Sequence, residues 1–211
     1  MSQAIIQYDF DRALVFAAGT LLIIGLIMVG SASISIADGK LHQPLFYFNR
    51  QLIFALAGLA IAAMVLTVRL EVWRQLAPLL LIVGVGLLML VLIPGIGREV
   101  NGSRRWLPLG PVNIQVAEII KLFSIIYVAD YLHRHHGQLH GSFFKVFGPL
   151  ILLGVAAILL LMQPDMGSVV VILSTVLAML FLGGARLDVF AALMTIFAGL
   201  FAVLIWLAPY R

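Results

Sequence analysis

The chain has 211 residues, 63% of them hydrophobic and only 10% charged, far from the roughly half-apolar, quarter-charged make-up of a soluble domain. That composition specifies an integral membrane protein. With no cysteine, disulfides, thiol nucleophiles and Cys-ligated metals are excluded, and a net charge of +4 scattered over short connectors leaves no basic tract for nucleic acid.

Seven apolar stretches follow one another near 13–34, 51–68, 75–94, 114–132, 146–162, 167–184 and 188–208, each close to the ~20 residues a helix needs to cross the hydrocarbon layer. Backbone groups in lipid must be satisfied internally, and no alternating pattern suggests a barrel. The expected fold is therefore all-α, a polytopic membrane helix bundle forming a single domain over 1–211. The first stretch is too long for a signal peptide, and Asp9 and Asp11 stand in its leader. Trp73, Trp106 and Trp206 fall at or beyond span ends, as headgroup-layer anchors do. An odd number of spans places the termini on opposite faces. Lys and Arg outside the spans divide evenly between those faces, so the positive-inside rule leaves the orientation open. The chain stops at Pro209-Tyr210-Arg211, directly after the last stretch, as though truncated.

The connector 95–113 carries a turn signal at Asn101-Gly102 and stiffeners at Pro108, Gly110 and Pro111. It lacks the Gly-Lys-Ser/Thr ending of a phosphate-binding P-loop. Arg104 and Arg105 are adjacent here, and guanidinium forks match the oxygens of a lipid phosphate or pyrophosphate. Headgroup anchoring, or pairing with Glu99, is the plainer role. Within the fourth stretch, Glu118 and Lys121 are three residues apart, one turn along a helix and close enough to touch. Such a pair either neutralises itself and locks helix packing or lines a polar cavity, and both can hold together. Asp130, toward the end of that stretch, reaches interfacial water or pairs with Arg134.

His133, His135, His136 and His140 in the following connector look like a metal tract. They lie on the opposite face from the other candidates and are read as part of a connector. At Gln163-Pro-Asp-Met-Gly, Asp165 suits an N-cap for the sixth span. It could alternatively orient an arginine or help hold a divalent ion among phosphates. Parity brings Arg104, Arg105, Glu118, Lys121, Gln163 and Asp165 toward one face, which describes a cavity open to one side for an anionic headgroup.

Through VNGSRRWLPLGPVNIQVAEIIKLF and QPDMG, together with PLFYFNRQLIFALAGLAIA near the first connector, the sequence resembles the SEDS family of shape, elongation, division and sporulation proteins, its division branch in particular. One departure is visible: the family's usual Gln-Pro-Ser-Glu reads Gln115-Val116-Ala117-Glu118 here. The resemblance implies a ten-span polymerase that links lipid II into glycan strands on the outer face of the bacterial cytoplasmic membrane, with the N-terminus cytoplasmic. It also implies a class B penicillin-binding protein and other division proteins as partners, besides membrane lipids. A catalytic aspartate would follow the seventh span, beyond residue 211, so the substrate-binding candidates here are Arg104, Arg105, Glu118, Lys121, Gln163 and Asp165. The expected cofactor is a divalent cation, magnesium or manganese. A lipid II transporter or a non-catalytic division scaffold are the competing functions. A transporter would need polar groups reachable from both faces, and a scaffold would have no need of charges inside a span.

Overall fold

The computed structural model describes residues 11–100, 102–110, 112–135 and 143–207. In chain order they form α1 (Arg12–Leu41), α2 (Phe46–Thr67), α3 (Leu70–Leu92), β1 (Arg98–Val100), β2 (Ser103–Leu109), β3 (Val112–Gln115), α4 (Val116–Arg134), α5 (Phe143–Met162), α6 (Met166–Leu182) and α7 (Leu187–Leu207). All seven expected helices are present. They fall into two compact units, Met1–Val68 and Arg69–Arg211.

In the first unit, α1 opens on an N-cap: the Asp11 carboxylate accepts from the backbone N–H of Ala13 at 2.9 Å and of Leu14 at 3.2 Å. At 30 residues the helix is ~45 Å long, well beyond the hydrocarbon thickness. The connector expected at 35–50 is consequently only 42–45. Nothing in the Ser-Ala-Ser-Ile-Ser run breaks a helix, and the stop comes at His42, whose left-handed backbone (φ 52°) ends the last turn just before Pro44. The two helices meet closely at Gly30, where an added Cβ would sit 3.1 Å from the Phe48 ring.

The second unit holds the core. The buried stripe of α3, Ala77, Leu81, Gly84, Val85, Leu88 and Val91, recurs at helical spacing, and α4 answers with Val116, Ala117, Ile120, Ser124 and Val128. Gly84 sets the approach of the two helices: a Cβ there would come within 2.5 Å of Ile120 Cδ1 and 3.1 Å of Phe123 Cδ2. Small residues at membrane helix contacts permit this closeness. Because Ile120 is fully buried, Gly84→Ala is expected to destabilise by roughly 1–3 kcal/mol. Gly86→Ala, which meets nothing within 4 Å, should be neutral or slightly stabilising. Paired thermal melts in one detergent test the contrast, and equal melting temperatures would refute it.

Connector 95–113 is where structure adds to the sequence reading. It is a three-stranded antiparallel sheet in the order β1-β2-β3, turning at Gly102 (φ +75°) and Gly110 (φ +64°), where glycine tolerates the left-handed backbone. Asn101 and Pro111 lie outside the described residues. The sheet is a small addition to a helical fold, and β3 runs into α4 with no connector. That entry is where the Pro-Ser pair is missing. Val116 takes the first helical position, which suits proline, and full burial of Val116 and Ala117 anchors the turn instead.

Outside the core, large apolar side chains stand open: Phe16 is 77%, Met64 70%, Ile151 74% and Leu182 83% exposed. Apolar surface on that scale belongs against lipid. Three helices, α1 to α3, are long and apolar enough to cross a membrane by composition alone, among the described residues. α4 carries Glu118, Lys121, Asp130 and Arg134 within its length, and the first two belong to the candidate site.

Candidate functional site

Strand geometry separates the two arginines. Successive side chains on a strand point to opposite faces, so Arg104 and Arg105 on β2 diverge. Arg104 lies opposite Glu99 of β1 in the register, and its Nε donates to Glu99 Oε2 at 3.2 Å. Arg105 turns to the α5–α6 connection, with Nε donating to the Gln163 carbonyl at 3.1 Å and Nη2 to the Pro164 carbonyl at 2.9 Å. Those carbonyls follow the last turn of α5, where a helix leaves acceptors without partners. Adjacency in sequence therefore does not make a two-arginine clamp. It makes one cross-strand ion pair and one bridge between the sheet and the Gln163-Pro-Asp turn.

Gln163 is buried, and its Nε2 donates to the Leu88 carbonyl of α3 at 3.1 Å. Its Oε1 is a buried acceptor with no partner among the described residues, so its lone pairs remain for a water or a ligand donor. Asp165, also buried, forms the α6 N-cap: Oδ1 accepts from the Ser168 N–H at 3.2 Å and Oδ2 from the Ser168 hydroxyl at 2.9 Å. Of the two roles open to Asp165 in the sequence, the cap is the one formed here. Asp165→Ala is expected to cost about 0.5–2 kcal/mol, with Asp165→Asn recovering part of it. A melting curve unchanged by Asp165→Ala would show that the cap contributes nothing.

Glu118 and Lys121 form the anticipated pair, with Lys121 Nζ 2.7 Å from Glu118 Oε1. The lysine side chain is 23% exposed and the glutamate 60%, so the cation is the more sheltered member. Both sit in the first two turns of α4, immediately after β3. The six candidates thus resolve into three groups: Arg105 with Gln163 and its neighbour Asp165, Glu118 with Lys121, and Arg104 with Glu99. Of the elements that parity assigns to one face, the sheet and the α5–α6 turn are joined directly, through Arg105. The far ends of α3 and α4 meet separately, where Asp130 pairs with Arg134 and also with Arg74 at 3.7 Å.

Sequence reasoning missed several partners, among them the Gln163 and Pro164 carbonyls that meet Arg105. Ser168, three residues after Asp165, had a local signal in the capping spacing. The Leu88 carbonyl and Arg74 had none, because both are contacts between segments remote in sequence. Of the histidine tract, His136 and His140 lie outside the described residues, while His135 stacks on Tyr131 with ring centroids 4.2 Å apart. No group of three or more acidic or imidazole side chains gathers among the described residues. With Asp165 engaged by Ser168, the site's carboxylates do not by themselves make a metal cage.

Residues 12–211 match the family described as cell cycle protein and designated by FtsW, RodA and SpoVE. The probable peptidoglycan glycosyltransferase FtsW of Nitrosococcus halophilus is 48% identical over 201 residues, covering 95% of this chain and 52% of that one. Its namesake in Coxiella burnetii is 41% identical over 206 residues, covering 98% and 55%. Among solved structures, the rod shape determining protein RodA of Thermus thermophilus superposes with a TM-score of 0.68 at 27% identity, over 90% of this chain and 59% of that one. A structure described as the coordination of polymerization and crosslinking by a peptidoglycan synthase complex gives 0.62 at 26% identity, over 88% and 53%. The chain spans about half the length of the curated relatives it matches. By a match that runs from the first turn of α1 to Arg211, this polytopic membrane chain belongs to the FtsW, RodA and SpoVE family of cell cycle proteins, the SEDS family its motifs resemble.

Proposed function

We propose that the chain forms the substrate-holding part of a peptidoglycan glycosyltransferase that polymerises lipid II into septal glycan strands. The reading extends to the whole protein the activity in the relatives' names. In the reaction an acceptor sugar hydroxyl attacks the anomeric carbon of a lipid-linked donor. The glycosidic bond forms as the bond to pyrophosphate breaks, the hydroxyl proton passes to a base, and the lipid pyrophosphate leaves. Two needs follow: a base, and positive charge where the pyrophosphate departs.

The observation that carries the reading is the sheltered Lys121 ammonium, fixed by Glu118 at 2.7 Å in the helix that leaves the sheet. A charge inside an apolar span is costly, and such residues commonly serve a substrate pathway. Glu118 orients Lys121 and is not the base, which the family resemblance puts beyond residue 211. Arg105 retains unused guanidinium N–H donors beyond the two given to carbonyls, and these supply a second cationic contact. A magnesium or manganese ion would arrive on the pyrophosphate, held largely by its oxygens and water. The same reading places the sheet on the outer face of the cytoplasmic membrane and the N-terminus inside. A class B penicillin-binding protein then crosslinks the strands alongside other division proteins.

The test is to supply labelled lipid II to the full-length protein purified with its penicillin-binding partner. Glycan ladders support polymerisation. Precursor crossing a liposome wall without ladders would replace it with transport, and neither ladders nor crossing would leave a scaffold.

A further inference from the structure

The charged groups at the other end of α3 and α4 take no part in that chemistry. Asp130 is 3% exposed, and its Oδ2 accepts from Nε and Nη2 of Arg134, one turn along α4. Arg74 of α3 brings its Nε to 3.7 Å from Oδ1, an ion pair without a hydrogen bond. One arginine already neutralises the carboxylate, so the second leaves a surplus positive charge. Both guanidiniums remain about half exposed, 46% for Arg74 and 51% for Arg134, with most of their N–H donors unused. Nearby Glu71 does not cancel the surplus, since it pairs with Arg69 at 3.5 Å.

The surroundings select the ligand. On the same first turns of α3, Leu70 is 77% and Val72 41% exposed, so the guanidiniums border lipid-facing apolar surface. Trp73 stands beside Arg74, as an interfacial aromatic does. A buried carboxylate pairing with two arginines across a helix seam differs from free snorkelling: Arg134 is held by hydrogen bonds and Arg74 is drawn to the same carboxylate before a ligand arrives, so less order is lost on binding. Guanidinium forks suit phosphate oxygens, and basic sites between membrane helices take anionic headgroups.

We propose that Arg74 and Arg134, held together by Asp130, bind the phosphate of an anionic phospholipid headgroup at the end of α3 and α4 remote from the sheet. The test is native mass spectrometry of the full-length protein in mild detergent, with phosphatidylglycerol titrated against phosphatidylcholine. Wild type should retain phosphatidylglycerol selectively, and the Arg74→Gln/Arg134→Gln variant should bind it roughly tenfold more weakly. Arg186→Gln, an exposed arginine outside the cluster and paired with Asp188, should bind like wild type. If the double variant does not fold, Arg74→Gln decides, because it leaves the Asp130–Arg134 pair intact and should still lose selectivity several-fold. Undiminished selectivity in Arg74→Gln, or an equal loss in Arg186→Gln, would overturn the assignment. Displacement of the lipid by inorganic phosphate at comparable concentration would also overturn it, by making the site one for free phosphate.

Discussion

Lys121→Ala in the full-length protein is expected to cut lipid II polymerisation by on the order of 10²- to 10³-fold, the effect of removing one fixed charge from a transition state, without unfolding the chain. The asymmetry has a physical basis. The hydrogen bond of Lys121 is to Glu118, whose side chain is 60% exposed, so losing the pair costs little stability, and alanine favours a helix. Lys121→Arg, which keeps the charge but spreads it over a planar fork, should retain part of the activity. Glu118→Gln should be milder than Lys121→Ala, since it loosens the ammonium and does not remove it. Single-turnover ladder formation compares them directly. Full activity in Lys121→Ala, with protein still folded, would remove the lysine from the site.

The second large effect separates two neighbours that look equivalent in the sequence. Arg105→Ala should destabilise the protein by about 1–3 kcal/mol, because two charge-assisted hydrogen bonds to carbonyls at the end of α5 are lost together. Arg105→Lys should recover only part, since a point ammonium cannot reproduce a fork that spans the Gln163 and Pro164 carbonyls. Arg104→Ala gives up an exposed cross-strand pair with Glu99, worth at most about 1 kcal/mol. Thermal unfolding in a single detergent decides: comparable shifts for Arg104→Ala and Arg105→Ala would mean that the bridge to the turn is not formed. Polymerisation should also be more sensitive at Arg105, because its remaining donors are the ones proposed to meet pyrophosphate.

The helices were legible in the sequence because lipid imposes a length and an apolar run on each span, and all seven appear close to their expected places. The boundary that moved most, the end of α1, lies in small and β-branched residues that neither break nor demand a helix. The Glu118–Lys121 pair and the Asp165 cap were legible because their geometry is local, fixed by helical spacing. The sheet was not. β2 carries Arg104-Arg105 followed by Trp106, Leu107 and Pro108, with no clean alternation to mark a strand, and its stability comes from pairing with β1 and β3. Once that strand exists, the arginines must diverge, a consequence that reading them as one dibasic motif could not supply. Long-range partners such as Arg105 with the α5–α6 turn, or Arg74 with Asp130, are set by packing and leave no mark in spacing.

Since residues 1–211 contain no cysteine, single cysteines can be placed in the full-length protein, freed of any others, at Val100 in β1, Pro164 in the α5–α6 turn and His133 at the end of α4. A membrane-impermeant maleimide applied to intact spheroplasts should label Val100→Cys and Pro164→Cys from the same side and reach His133→Cys only after the membrane is opened. Labelling of Val100→Cys and Pro164→Cys from opposite sides would contradict a shared polar end, and with it the binding site on which the proposed glycosyl transfer depends.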